Sequence, residues 1–121
     1  MDPEKVIQRL LKQTQQGEIN WTRVSAESRF PYLTQATNDV VDVVFTAEVN
    51  GRNLALYEER YKAYTDEDSF YWTARRCMDV VSPKGEKLWQ FPTSAYLNDL
   101  LDAAAYKSAD VPNILMDLMG D

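Results

Sequence analysis

Val40-Val41-Asp42-Val43-Val44-Phe45-Thr46-Ala47-Glu48-Val49, then Asn50-Gly51, then Arg52-Asn53-Leu54-Ala55-Leu56-Tyr57-Glu58-Glu59-Arg60-Tyr61-Lys62-Ala63-Tyr64, is the stretch that decides the fold. Two β-branched, alternating runs flank an Asn-Gly pair. A two-residue type I′ turn needs positive φ at both central positions, and Asn-Gly meets that need best. Such a turn fixes the register, placing Val49 opposite Arg52, Ala47 opposite Leu54 and Phe45 opposite Leu56. One sheet face then carries Val41, Val43, Phe45, Ala47, Leu54 and Leu56, which reads as the core face. Val44, Thr46, Tyr57, Glu59 and Tyr61 fall on the other.

Working outward toward the C-terminus, Thr65-Asp66-Glu67-Asp68-Ser69 is an acidic turn. Phe70 to Val81 is a third strand of the meander and Lys87 to Phe91 a fourth. Ser82-Pro83-Lys84-Gly85 joins them, with Pro83 preset for the first central position of a type I turn. Phe70, Trp72, Ala74, Met78 and Val80 read as inward, leaving Tyr71, Thr73, Arg75 and Cys77 outward. Arg76 falls in the inward set; it either lies beyond the helix edge or pairs with Glu58. After Pro92, Ser94 is a good N-cap for a helix to about Lys107, whose apolar side is Tyr96, Leu97, Leu100, Leu101, Ala104 and Ala105. Asp110 is placed to cap a last helix bearing Ile114, Leu115, Leu118 and Met119.

Toward the N-terminus, Asp2-Pro3-Glu4 is a helix start, with Val6, Ile7, Leu10, Leu11 and Thr14 on one stripe and Gly17 as the residue past the end. Ile19-Asn20-Trp21 alternates as a short strand. Residues 25–39 have no clean period, yet Phe30, Tyr32 and Leu33 predict a loop that packs down on the body. The order is a helix, an antiparallel meander of four to five strands, then two helices. That predicts a single α+β domain over residues 1–121, with the helices on one sheet face.

Leu10-Leu11-Lys12-Gln13-Thr14-Gln15-Gln16-Gly17-Glu18-Ile19-Asn20-Trp21 resembles the opening of many small bacterial proteins: a helix, a threonine, a glycine, then an apolar-x-Trp strand. Tyr96 to Met119 resembles their close, and Ser82-Pro83-Lys84-Gly85 their polar-Gly turn. The likeness covers about a third of the chain by motif and the rest by element order. It implies an α–β-meander–α fold and brings no catalytic residue with it.

Composition narrows function mostly by exclusion. The 121 residues carry a net charge of −6, no histidine and one cysteine. Without histidine the commonest general base and metal ligand are missing. A single cysteine makes no internal disulfide, and the opening residues lack the pattern of a signal peptide, so a cytoplasmic location is expected. No apolar run is long enough to span a membrane. The acidic balance argues against a nucleic-acid partner: residues 50–92 are charge-neutral and residues 93–121 hold five acids against Lys107 alone.

Residues with chemical capacity read first as structural. Asp66, Glu67 and Asp68 have oxygen ligands for Ca²⁺ or Mg²⁺ but not EF-hand spacing, and fit a solvated turn better. Glu58 and Glu59 point to opposite faces, which makes Glu58 with Arg60 or Arg76 an ion pair rather than half of an acid–base dyad. Cys77, mid-strand and without a histidine to activate it, reads as a small buried hydrophobe. No catalytic, cofactor or metal site is expected.

What remains is the outward sheet face. Thr46, Tyr57, Tyr61, Tyr71, Thr73 and Arg75 are residue types that enrich at protein interfaces. The expectation is a small acidic, non-catalytic interaction protein, inhibitor- or immunity-like or a homodimeric accessory protein, with the protein partner not identified by the sequence. The alternative is a small-ligand-binding protein with a pocket between the sheet and the 25–39 loop, near Trp21, Phe30 and Tyr32.

Overall fold

A computed structural model of the chain describes residues 2–26, 30 and 40–120. Asn50 and Gly51 take φ of 51° and 81°, so the hairpin turn is type I′. The register it imposes is the expected one, with Val49 opposite Arg52, Ala47 opposite Leu54 and Phe45 opposite Leu56.

The elements are α1 (Pro3–Gln15), β1 (Thr22–Ser25), β2 (Val43–Val49), β3 (Arg52–Tyr64), β4 (Phe70–Val81), β5 (Lys87–Gln90), α2 (Ala95–Ser108) and α3 (Val111–Leu118). The strands form one antiparallel sheet in sequence order, β1-β2-β3-β4-β5. The architecture is therefore the expected α+β one: an N-terminal helix, a five-stranded meander among the described residues, and two C-terminal helices.

Local chemistry sets the helix ends. The Asp2 carboxylate accepts from the Glu4 backbone N–H at 3.0 Å, and the Ser94 hydroxyl accepts from that of Tyr96 at 3.2 Å. Helix α1 closes in a Schellman motif: Glu18 N–H donates to Gln13 O at 2.8 Å and Gly17 N–H to Thr14 O at 3.1 Å. Gly17 sits at φ +77°, where a Cβ would be strained. Asp110 behaves differently from the cap expected of it. It stands at the N-cap position of α3 in left-handed geometry and its side chain caps no backbone N–H; its carboxylate is instead held by the Asn113 side-chain amide.

On one sheet face Phe45, Ala47, Leu54, Leu56 and Met78 pack against Ile7 and Leu10 of α1 and Leu97, Leu100 and Ala104 of α2. Trp21 belongs to this core, and its indole N–H donates to the buried Thr14 hydroxyl at 2.9 Å. Arg76, the misfit of the inward set, is accounted for by ion pairing. It reaches Glu58 at 3.3 Å, Asp102 at 2.8 Å and the Asn98 carbonyl at 2.9 Å, tying β4 to α2. The Asp102 carboxylate raises the guanidinium's pKa further above its usual value.

The opposite face holds a second core, which the sequence reading did not foresee. Val44, Ala55, Tyr57, Cys77 and Val81 are covered there by Ala26, Phe30 and Val41. Val41 was expected on the helix side. Its move follows from the pairing: Val44 lies opposite Tyr57, but Val40 bridges Arg60, one residue out of step with that register. A one-residue offset exchanges faces, so Val41 points to the side opposite Val43. Phe30 packs down as expected; Tyr32 and Leu33 lie outside the described residues.

Candidate interaction surface

The six residues expected on an open face divide between two environments. Tyr57 is 1% exposed, which corrects the expectation that it faces solvent. Its hydroxyl donates to the buried Asp79 Oδ2 at 2.9 Å and accepts from Gln90 Nε2 at 3.3 Å. The physical reason is the chain between β1 and β2, which lays Ala26, Phe30 and Val41 over this end of the sheet. Thr46 is half-buried at the same end, its hydroxyl donating to Thr22 O at 3.4 Å.

Tyr61, Tyr71, Thr73 and Arg75 lie further along the hairpin. Tyr61 stands opposite Thr73, and the Arg75 guanidinium sits 4.7 Å from the centre of the Tyr61 ring while bonding Glu59. That carboxylate raises the Arg75 pKa above its usual value. Tyr71 is largely exposed. The stack orders the Arg75 side chain, which is rich in rotamer entropy when free, against the Tyr61 ring.

The sequence reading placed Phe70 and Trp72 on the helix-side face, and the register puts them there. They are nevertheless exposed, as is Tyr64. Length leaves room for this. A 13-residue strand is roughly 43 Å long, whereas the 14-residue helix α2 is roughly 21 Å long. Asn98 and Asp102 of α2 bond Arg76, and Trp72 and Phe70 lie four and six residues further along β4. Tyr64 and Phe70 meet with centroids 5.7 Å apart, and Phe70 and Trp72 meet edge-to-face at 6.3 Å. The Lys62 ammonium lies 4.6 Å from the Phe70 centroid and 5.5 Å from that of Trp72. Comparing strand and helix lengths was the signal that could have found this surface.

The acidic turn closes this hairpin. Asp66 Oδ1 accepts from the Asp68 and Ser69 backbone N–H groups, each at 2.8 Å, so that carboxylate organises the turn. Glu59 and Glu58 sit opposite Arg75 and Arg76 on opposite faces. Among the described residues no group of three or more His, Cys, Asp or Glu could hold a metal ion, and no helix is long and apolar enough to cross a membrane.

A groove of about 220 Å³ lies near Phe30, bordered by polar residues that include Thr22, Thr46, Asn53 and Lys84. Trp21 is not part of it, because its ring belongs to the core on the other face. Cys77 is buried beside Tyr57, and burial first, then the Glu59 charge, pushes its thiol up to about 11. An unfolded thiol ionises near 9, so unfolding is favoured as pH rises from about 9 to about 11. Stability is expected to fall across that window, by up to about 2–3 kcal/mol. Urea melts at stepped pH should show this extra slope in the native chain and not in Cys77→Ala.

Two features thus mark the far end of the hairpin: solvent-facing rings on both sides, and cations that hold them in order. The chain matches no protein-family model, and comparison with curated proteins and with solved structures finds no significant similarity.

Proposed function

We propose that the protein is a non-catalytic interaction module that engages a protein partner through the far end of the β3–β4 hairpin. The observation that carries this reading is the exposure of Tyr64 (62%), Phe70 (45%), Tyr71 (57%) and Trp72 (51%) on a strand pair that extends beyond the helix layer. Large rings on a hydrogen-bonded ladder have little conformational entropy to lose on binding, and Trp and Tyr are the residues on which interfaces concentrate their energy. An exposed apolar cluster of this kind is costly to hydrate unless something covers it. The surface is narrower than the expected one. Tyr61, Tyr71, Thr73 and Arg75 remain in it, Tyr57 leaves it, and Tyr64, Phe70 and Trp72 join. The net charge of −6 would speed encounter with a basic partner, as an inhibitor- or immunity-like role requires.

Parallel capture with the native chain and with Phe70→Ser/Trp72→Ser tests the proposal. Both rings are exposed, so the double variant should melt within a few degrees of the native chain. A bound protein should be retained at least about tenfold less well by the variant. A partner held equally by both chains would overturn the assignment of this surface.

A further inference from the structure

The turn that sets the β2–β3 register also carries a reactive pair of residues. Asn50 is the one asparagine of the chain followed by glycine; the others precede Trp21, Asp39, Leu54, Asp99 and Ile114. An asparagine amide is open to attack by the backbone nitrogen of the next residue, and a glycine there puts no side chain in the way. Asn50 and Gly51 are both exposed, and a Cβ on Gly51 would meet no atom of the described residues within 4 Å. Packing does not shield the pair from water.

The closed turn holds the reacting atoms apart. Asn50 and Gly51 have φ of 51° and 81°, and type I′ geometry sets ψ of the first residue at about +30°. That angle brings the Gly51 nitrogen close to eclipsing the Asn50 nitrogen. A five-membered ring through Cγ needs it to eclipse Cβ instead, which takes roughly 150° of rotation about the Asn50 Cα–C bond. Such a rotation breaks the Val49–Arg52 pair that closes the hairpin.

We propose that Asn50 is a site of spontaneous covalent modification, that the folded hairpin guards it, and that its isoaspartyl product no longer fits the native register. In the opened turn the Gly51 nitrogen gives its proton to solvent base and attacks Asn50 Cγ. The new C–N bond closes a succinimide ring; the bond from Cγ to the side-chain nitrogen breaks, and that nitrogen leaves as ammonia with a proton from water. Water then opens the ring without change of oxidation state. Cleavage of the Cγ–N bond leaves aspartate, and Asp-Gly still suits a type I′ turn. Cleavage of the backbone C–N bond leaves isoaspartate, whose main chain runs through Cβ and Cγ and is one carbon longer. A two-residue turn has no length to spare for that carbon. Taking it up pulls Val49 and Arg52 out of opposition, and a slip of one residue would carry Leu54 and Leu56 away from the helix-side core. The reaction therefore starts from the open turn and leaves a turn that closes less well.

The test incubates the full chain in mildly alkaline buffer, with and without urea above its unfolding midpoint, and follows isoaspartate by enzymatic methylation and peptide mapping. Isoaspartate should appear at position 50, at least about tenfold faster in the unfolded chain than in the folded one. After removal of urea, the isoaspartyl fraction should unfold at a lower urea concentration than the unmodified chain. Asn50→Asp carries the new charge without the extra carbon and should keep a near-native midpoint. Asn50→Gly retains a pair suited to the turn, and after the same ageing its midpoint should be unchanged. Equal rates in the folded and unfolded chains would overturn the proposal, because the turn would then guard nothing. So would an isoaspartyl chain with the midpoint of the unmodified one, or an unfolded chain that forms no isoaspartate at position 50.

Discussion

Replacing Tyr57 with alanine should lower the unfolding free energy by about 4–8 kcal/mol. Two costs combine. The ring is 1% exposed and packs among Val44, Ala55, Cys77 and Phe30, so its removal opens a cavity of the kind that costs roughly 3–5 kcal/mol for a large aromatic. The buried Asp79 also loses the hydroxyl that donates to it at 2.9 Å, and a buried acceptor deprived of a partner costs roughly 1–3 kcal/mol. Tyr57→Phe separates the terms, since it keeps the ring and removes only the donor; about 1–3 kcal/mol is expected. Urea unfolding followed by far-ultraviolet circular dichroism measures both. A cost below about 1 kcal/mol for the alanine variant would mean that the second core is not consolidated, and that this end of the sheet is as open as the sequence suggested.

That second core shows where sequence legibility stops. Local rules carried the reading far. Asn50-Gly51 set the register across β2 and β3, Asp2 and Ser94 capped their helices, and Gly17 ended α1, because each depends on a few adjacent residues. Alternation also separated the faces of β3 correctly from Leu54 to Tyr61. What alternation cannot reveal is an offset between strands. Val40 and Val44 belong to one apolar run, yet they follow different registers against β3, and only the backbone pairing shows it.

The surface was half legible for a related reason. Face assignment follows from parity, but exposure depends on what lies above the face. Phe70 and Trp72 share a side with Met78, which is fully buried under the helices. Four or more residues along the same strand, that cover is gone. Tyr57 and Tyr61 likewise share a side, and one is sealed by Phe30 while the other stacks against Arg75 near solvent. Segments distant in sequence decide both cases. Arg76 was the clue in plain sight: a charged residue on an inward parity marks the boundary of a core, and it is held there by Glu58 of β3 and Asp102 of α2.

Leu56→Ala should cost about 3–5 kcal/mol, the second large effect. Leu56 is completely buried on the central strand, between Phe45 on β2 and Met78 on β4, beneath Leu97 and Leu100 of α2. Both sheet neighbours are held by backbone hydrogen bonds, so collapse into the vacancy is restricted and the upper part of the range applies. For a chain of this size the loss corresponds to a fall in Tm of about 10–20 °C. Leu118→Ala is the control: the same chemistry at a side chain 77% exposed should change monomer stability by less than about 0.5 kcal/mol. Leu56 and Tyr57 are adjacent in β3 but enter different cores, so Leu56→Val and Tyr57→Phe should be additive within about 0.5 kcal/mol. Strong coupling between them would mean that the two faces of the sheet yield together, with the backbone of β3 shifting as a unit. Additivity would establish two separately packed layers on one ladder, which is the rigid base that the exposed end of the hairpin needs in order to present its rings.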